Sequence, residues 1–252
     1  MEVKIVFVTP ENIYEYPQAI CFINPKNSLF KKKVDWYANE YKRGLRICLL
    51  YISGEKKAAG FIEFVPGEYC WRAVNAVDYM FIHCIWTTGK KIQNKGLGSI
   101  LIKEVEKAAE GMAGVAVMTS DNAFMAKKEI FLKNGYIIAG VEGKDQLLVR
   151  QFRPGPMPSF NISSAAGAEN DRLKVMYSKQ CPWVARFIEE AKDDLEQLNA
   201  DVTEISSPEE AQKAPSPYAV FNLLYKGKVL SDRYISVTRF RNIISKEKLK
   251  VR

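Results

Sequence analysis

The chain has 252 residues, 47% of them hydrophobic and 26% charged, a balance typical of a folded globular protein. Its apolar runs are shorter than the ~20 residues that cross a bilayer, and its first residues lack the apolar core of a signal peptide. The five cysteines are scattered and form no CxxC pair. This pattern argues against a disulfide framework or a metal site, and it predicts a cytoplasmic protein with no membrane partner.

The net charge is +8, and +6 of it lies in residues 1–158. A basic balance can indicate nucleic-acid binding. The sequence has no helix-turn-helix, zinc-finger or aromatic RNA-binding signature, so we expect no nucleic-acid partner. Binding of a phosphate-bearing cofactor accounts for the same excess of positive charge.

The first part of the chain alternates strand-like and helical patterns. Strands are predicted at 3–8, 45–52, 56–65, 76–86, 114–120, 136–142 and 145–152, and helices at 12–21, 28–42, 97–112 and 123–134. A stretch rich in proline and small residues follows, and it predicts a linker at 156–171 between a domain at 1–155 and one at 172–252. The second domain is predicted to have strands at 172–178 and 201–206, a hairpin at 218–230, and helices at 182–198, 207–214 and 238–249.

Two glycines open the helix at 97–112, in the run Gln93-Asn94-Lys95-Gly96-Leu97-Gly98. The run fits neither the dinucleotide fingerprint nor the P-loop. It does fit an anion site, because N–H groups at a helix N-terminus have no intrahelical acceptor and the helix dipole favours negative charge. Glycines would let the backbone approach a pyrophosphate closely, with Lys90 and Lys91 beside it.

The pattern Q-x-x-G-x-G between a strand and a helix resembles the acetyl-CoA-binding motif of the GNAT family of N-acetyltransferases. The order of elements in residues 1–155 and the segment FLKNGY (131–136) resemble the same family. The turn TTGKKI before this motif is longer than is usual in the family. In this it resembles the branch of the family that has a C-terminal YoaP-like domain. The resemblance implies an α/β (α+β) acyl-CoA N-acyltransferase fold with a central mixed, mostly antiparallel sheet.

The resemblance also implies how acetyl-CoA would be held. The strand before the loop would splay from its neighbour, so that its backbone groups polarise the thioester, and the glycine loop would bind the pyrophosphate. The implied cofactor contacts are Cys84, Ile85, Trp86, Gln93, Asn94, Lys95, Gly96, Leu97, Gly98, Ser99 and Asn122. Asn122 is equally well explained as the N-cap of the next helix.

Catalysis by direct amine attack needs a base, and the one histidine of the chain, His83, lies on that strand. It could equally be a packed strand residue, and strand alternation groups it with Phe81 and Ile85. Glu63, which interrupts an apolar strand, is the second catalytic candidate. Glu68 and Asp78 are alternative candidates for the general base.

Many members of the family place a tyrosine on the helix predicted at 123–134 as the general acid that protonates the leaving thiolate. The matching position here is Phe131, which cannot donate a proton. Tyr136 could replace it or serve as a core aromatic. The aromatic stripe of Trp36, Tyr37 and Tyr41 could line the acceptor side, although such stripes more often belong to the core.

The second domain resembles thioredoxin-like proteins at Cys181-Pro182-Trp183-Val184 and at Pro217, which would then be a cis proline. Val184 replaces the second cysteine, so a dithiol cycle is excluded. The position of Cys181 at a helix start predicts a lowered thiol pKa. A decayed fold kept for binding or packing is the alternative.

These observations predict an acetyl-CoA-dependent N-acetyltransferase acting on a small-molecule or peptide amine, with a homodimer left open. One alternative is an acyl-CoA-binding or sensor protein without turnover. The other is a monothiol activity at Cys181.

Overall fold

The computed structural model describes residues 2–21, 23–87, 95–121, 125–162 and 172–249. The chain forms two compact units that are interleaved along the sequence. The first unit takes residues up to Asn27, then Tyr37–Cys70 and Val74–Phe160, and the second takes Ser28–Trp36, Trp71–Ala73 and the residues from Asn161 onward. The division at 155 and 172 stays a prediction, and the two short early segments of the second unit were not expected from composition.

Strands dominate the first unit. They are β1 (Val3–Val8), β2 (Arg46–Ile52), β3 (Gly60–Pro66), β4 (Val74–Asn75), β5 (Tyr79–Thr87), β6 (Gly114–Ser120), β7 (Ile137–Glu142), β8 (Asp145–Gln151) and β9 (Ser159–Phe160). Seven of them form one sheet in the order β1-β2-β3-β5-β6-β8-β7, and β4 pairs with β9. Within the seven-stranded sheet only β5 and β6 run parallel, so the predicted mixed, mostly antiparallel sheet is confirmed.

Three α-helices accompany this sheet: α1 (Ser28–Tyr41), whose first part belongs to the second unit, α2 (Leu97–Ala108) and α3 (Lys128–Lys133). The apolar stripe of α2 at Leu97, Leu101, Ile102 and Val105 is buried against β2, β3, β5 and β6. Burial of this stripe fixes α2 across the strands that precede it, as its 3.6-residue periodicity predicts.

The second unit contains β10 (Lys174–Tyr177), α4 (Pro182–Glu190), α5 (Lys192–Gln197), β11 (Asp201–Glu204), α6 (Pro208–Ala211), β12 (Phe221–Tyr225), β13 (Lys228–Ser231) and α7 (Val237–Lys246). Its sheet has the order β11-β10-β12-β13, with β10 and β11 parallel and the other pairs antiparallel. Phe187 of α4 packs edge-on against Phe221 and Phe240, at ring-centroid distances of 5.3 and 5.5 Å.

Three predicted helices differ from the structure. The helix at 12–21, expected with an interruption at Pro17, is wrong: this segment forms turns and a 3-10 helix at Pro17–Ala19, because Pro17 lacks the N–H that an α-helix needs. The helix at 123–134 begins only at Lys128, after Lys127 in extended backbone. The helix at 182–198 is divided at Ala191, with no glycine or proline to mark the break.

Two further findings concern the described residues. They contain no cis peptide bond, so the cis proline predicted at Pro217 is wrong. They also contain no helix that is long and apolar enough to span a bilayer.

We predict that Tyr37→Phe destabilises the first unit by about 1 kcal/mol, because the buried Tyr37 hydroxyl donates a 2.8 Å hydrogen bond to the carbonyl of Val8 and ties α1 to β1. Urea denaturation measures the change. Tyr41→Phe is the matched control on the same helix, since the contact of the Tyr41 ring with Arg46 survives loss of the hydroxyl. Equal effects of the two substitutions would contradict the assignment.

Candidate active site

The central feature of the first unit is an interruption between its two parallel strands. β5 and β6 are paired from Tyr79–Gly114 to Ile82–Val117, and no further pairing follows although both strands continue. Beyond this point β5 stays paired with β3 and β6 with β8. The two strands therefore separate, as the family resemblance implies, and the inner edge of β5, which faces β6, has no ladder to β6 beyond this point.

A narrow slot lies at the point of separation. Its lining comes from β5, β6 and the segment before α3: Ile82, His83, Cys84, Ile85, Val117, Met118, Met125 and Ala126. Of the predicted thioester contacts, Cys84 is partly exposed, Ile85 is buried and Trp86 is 49% exposed. Cys84 and Ile85 therefore line the slot, whereas Trp86 does not.

His83 occupies a bulge in β5. Glu63 of β3 lies opposite Cys84, and the next residue, Phe64, lies opposite Ile82, so His83 is an extra residue in the ladder. A bulge interrupts strand alternation and redirects side chains. Ile85 consequently packs in the core with Ile82, and the expected grouping of His83 with Ile85 is wrong. The predicted neighbour Phe81 does contact His83, with 5.9 Å between ring centroids.

The bulge brings the two catalytic candidates together. His83 Nδ1 lies 3.2 Å from Glu63 Oε1, and both side chains are buried, at 0% and 5% exposure. An N–H on Nδ1 that donates to the carboxylate would direct the Nε2 lone pair away from Glu63. The pair can thus hold a histidine in one tautomer for proton transfer.

Tyr37 of α1 lies within electrostatic range of this pair. Burial raises the pKa of Tyr37 above its ordinary value, and the charges of Tyr41 and Glu63 act in the same direction. Tyr37 is fully buried and bonded to Val8, so it belongs to the core rather than to an open acceptor wall. The two rival carboxylates lie elsewhere: Glu68 is exposed, and Asp78 pairs with Arg153 at 2.5 Å.

The N-terminus of α2 follows the slot along the chain. Gly96 caps the helix with φ +77°, a left-handed conformation that favours glycine, and the first turn contains no acidic residue. Lys95 and Gly96 are exposed. These features fit an anion site. Gln93, Asn94, Asn122, Lys90 and Lys91 lie outside the described residues.

Gly98 has a different role from the one expected. A Cβ at this buried position would lie 2.3 Å from Cδ1 of Ile130 on α3. Gly98 therefore allows α2 and α3 to pack closely, in addition to any approach of a phosphate.

Sequence reasoning missed a polar network that fixes the same helix. The Asn134 amide donates to Ser99 Oγ at 2.9 Å, and Arg150 donates to the Asn134 carbonyl at 2.8 Å and to Glu106 at 2.9 Å. Ser99 Oγ thus accepts a hydrogen bond from the residue that follows α3, and the backbone N–H of Ser99 is directed as the helix N-terminus requires. Pairs so distant in sequence leave no local signal.

The position of the family tyrosine belongs to the core. Phe131 is fully buried and packs edge-on against Tyr136, with 5.5 Å between centroids. Burial, together with the carboxylate of Glu106, raises the pKa of Tyr136. Both rings belong to the core under α2, so Tyr136 is a core aromatic and not a replacement acid.

Cys181 caps α4 in the second unit. Backbone N–H groups of Val184 and Trp183 donate toward its sulfur, and Lys33 and Arg72 add favourable positive charge. Burial outweighs these effects and raises the pKa of the Cys181 thiol, so the predicted lowering is wrong. A raised pKa counts against the monothiol alternative, because the thiolate is the reactive species.

A mixed sheet that separates beside a helix N-terminus defines an acyl-CoA N-acyltransferase fold. The family model described as "Acetyltransferase (GNAT) family" matches residues 12–128, and the model described as "YoaP-like" matches residues 200–242. The chain therefore contains a GNAT acetyltransferase domain, for which acetyl-CoA is the acetyl donor, and a YoaP-like region.

The chain is also similar to individual proteins. "Uncharacterized N-acetyltransferase YoaP" of Bacillus subtilis (strain 168) is 24% identical over 230 residues, which cover 86% of this chain and 92% of that protein. Among solved structures, an N-acetyltransferase from Thermoplasma acidophilum in complex with coenzyme A is 14% identical with a TM-score of 0.43, covering 60% of this chain and 100% of its own. An acetyltransferase from Thermus thermophilus is 12% identical with a TM-score of 0.45, covering 60% and 98%.

We predict that Gly96→Ala destabilises the fold by about 1–2 kcal/mol and weakens binding of coenzyme A, because alanine strains the left-handed cap that orients the first N–H groups. Gly54→Ala is the control: Gly54 also has positive φ, at +86°, but lies in the β2–β3 turn. Calorimetric titration should show weaker binding for the first variant alone. Unchanged affinity in both would contradict this role of Gly96.

We also predict slow alkylation of Cys181. Iodoacetamide at pH 7.5 should modify this thiol at least ~10-fold more slowly in the folded protein than in the urea-unfolded chain, because burial disfavours the thiolate. Peptide mass spectrometry measures both rates for the same cysteine. Faster reaction in the folded state would restore the monothiol hypothesis.

Proposed function

We propose that this acetyltransferase moves the acetyl group of acetyl-CoA to a primary amine, which attacks the thioester directly. The observation that supports this most is the end of β5–β6 pairing at Ile82–Val117, close to the pair of His83 and Glu63. An open strand edge can bind an extended arm, and a buried histidine beside it can take a proton.

The donor would be held at two places. Backbone N–H groups from Leu97 to Ser99 would bind its pyrophosphate, with Lys95 beside them. The inner edge of β5 around Cys84 and Ile85 would bind the arm and polarise the thioester carbonyl. Trp86, Gln93, Asn94 and Asn122 remain contacts predicted from the sequence.

In the proposed reaction His83 accepts a proton from the attacking ammonium, directly or through one water. The amine nitrogen then bonds to the carbonyl carbon, and backbone donors stabilise the tetrahedral oxyanion. Collapse of this intermediate breaks the C–S bond and releases a thiolate, and the amide nitrogen loses its second proton to solvent, so that a neutral amide results. Phe131 and the buried Tyr136 supply no acid, so we propose that the sulfur departs as thiolate.

We propose a thioredoxin-like arrangement for the second unit. Its parallel β10–β11 pair, its antiparallel β12 and β13, and its thiol at the start of α4 support this proposal. With Val184 in place of a second cysteine and a partly buried thiol whose pKa is raised, a packing or binding role is favoured over redox chemistry. The free state of all five cysteines supports the proposed cytoplasmic location. A homodimer stays a prediction.

We predict that wild-type protein releases coenzyme A from acetyl-CoA faster with at least one primary amine from a panel of amino acids, polyamines, aminoglycosides and peptides. His83→Gln should lower kcat by ~10²-fold or more while changing KM for acetyl-CoA little, because the base acts only in the chemical step. Glu63→Gln should lower kcat by a smaller factor, since it keeps a polar group beside Nδ1. A thiol-release assay measures these rates.

Thermal unfolding and titration with coenzyme A show whether each variant remains folded and binds the donor. Glu68→Gln is the matched carboxylate control, because Glu68 is exposed, and it should retain full activity. Binding of coenzyme A without acetylation of any amine would support the sensor alternative instead. Full activity of His83→Gln would remove His83 from the mechanism.

A further inference from the structure

A cavity of about 270 Å³ lies at the edge of the first unit, where β1 begins and β2 ends. Its lining comes from β1, the segment before the 3-10 helix and the turn after β2: Lys4, Val6, Tyr16, Tyr51, Ile52, Ser53, Gly54 and Glu55. Among the described residues it shares none of its lining with the slot between β5 and β6. The acetyl transfer proposed above therefore leaves this cavity without a role.

The cavity is too far from His83 to hold the attacking amine. Glu63, which contacts His83, lies opposite Ile47 on β2. Tyr51 is four residues further along β2, which corresponds to about 13 Å at ~3.3 Å per residue. Proton transfer to a histidine needs contact within ~3 Å or through one water. The cavity is therefore a separate site.

Two side chains of opposite charge line the cavity without pairing. Lys4 and Glu55 are both exposed. Within the described part of the chain, neither side chain makes an ion pair or a hydrogen bond, with the other or with a third residue. The neighbouring Glu2 differs, because its carboxylate accepts a 3.0 Å hydrogen bond from the Ser53 hydroxyl. A separated ammonium and carboxylate are complementary to a ligand that carries both charges.

Two tyrosines supply the apolar side of the cavity. The rings of Tyr16 and Tyr51 pack edge-on, with 6.4 Å between centroids, beside Val6 and Ile52. Aromatic rings of this kind pack against apolar and aromatic groups, and their faces attract an ammonium. The volume lies just below the ~300–1,000 Å³ of pockets for drug-sized ligands. It therefore suits a molecule of the size of an amino acid.

We propose that this cavity binds a free amino acid with an aromatic or large apolar side chain. Its carboxylate pairs with Lys4, its ammonium pairs with Glu55, and its side chain packs against Tyr16 and Tyr51. A phosphate is disfavoured because Glu55 repels it, and a polyamine is disfavoured because Lys4 repels it. Exposed ion pairs are weak, so we expect a dissociation constant of about 1 mM.

Three probes test the proposal: L-phenylalanine, phenethylamine, which lacks the carboxylate, and 3-phenylpropanoate, which lacks the ammonium. In titrations of the full chain followed by amide NMR shifts, L-phenylalanine should move the signals of Ser53, Gly54 and Glu55. Lys4→Met should weaken its binding ~3–5-fold without weakening that of phenethylamine. Glu55→Gln should weaken it ~3–5-fold without weakening that of 3-phenylpropanoate.

Lys56→Met in the same turn and Glu142→Gln on β7 are matched controls, because both residues are exposed and neither lines the cavity. Both variants should bind L-phenylalanine as wild type does. Absence of shifts in the β2–β3 turn at ~20 mM L-phenylalanine, about 20 times the expected dissociation constant, would overturn the site. Equal binding of phenethylamine, unaffected by Lys4→Met, would overturn the amino-acid assignment in favour of a cation site. These readouts need no acetyl transfer, so failure here leaves the proposed function untouched.

Discussion

The rest of the site depends on one break in hydrogen bonding, where β5 and β6 stop pairing after Ile82 and Val117. Each strand stays paired with its other neighbour beyond the break, β5 with β3 and β6 with β8. The separation is therefore supported from both sides and cannot close without disrupting an intact ladder. It interrupts the ladder between two neighbouring strands of an otherwise continuous sheet.

The bulge at His83 lies directly after Ile82, where the pairing of β5 with β6 ends, and it also changes the geometry of β5. One extra residue in β5 changes strand parity, which keeps Ile85 in the core under α2 while His83 meets Glu63 on the other side. A regular strand could not meet both demands at once. Bulges bend strands and increase their twist, so this one is also suited to directing β5 away from β6.

The second unit shows how burial can outweigh a favourable helix position. Cys181 has the helix start, the backbone donors and the nearby cations that stabilise a thiolate, yet desolvation raises its pKa. The first unit uses its helix start differently: Gly96 leaves the N-terminus of α2 exposed, and the first turn carries no acidic side chain. The same local motif therefore suits an anion in one setting and packs a neutral thiol in the other.

Local pattern determined much of this protein. Alternating and buried apolar runs marked the strands β1, β2, β5, β6, β7 and β8 closely. The glycine spacing at Gly96 and Gly98, with the apolar stripe of α2, indicated the GNAT resemblance and predicted an anion site. Only the tertiary structure decided the bulge, the position of Glu63 beside His83, and the close approach of Gly98 to Ile130. The physical reason is that periodicity reports which face of one element is apolar. Register, strand separation and desolvation arise between elements that are distant in sequence, and no local pattern encodes them.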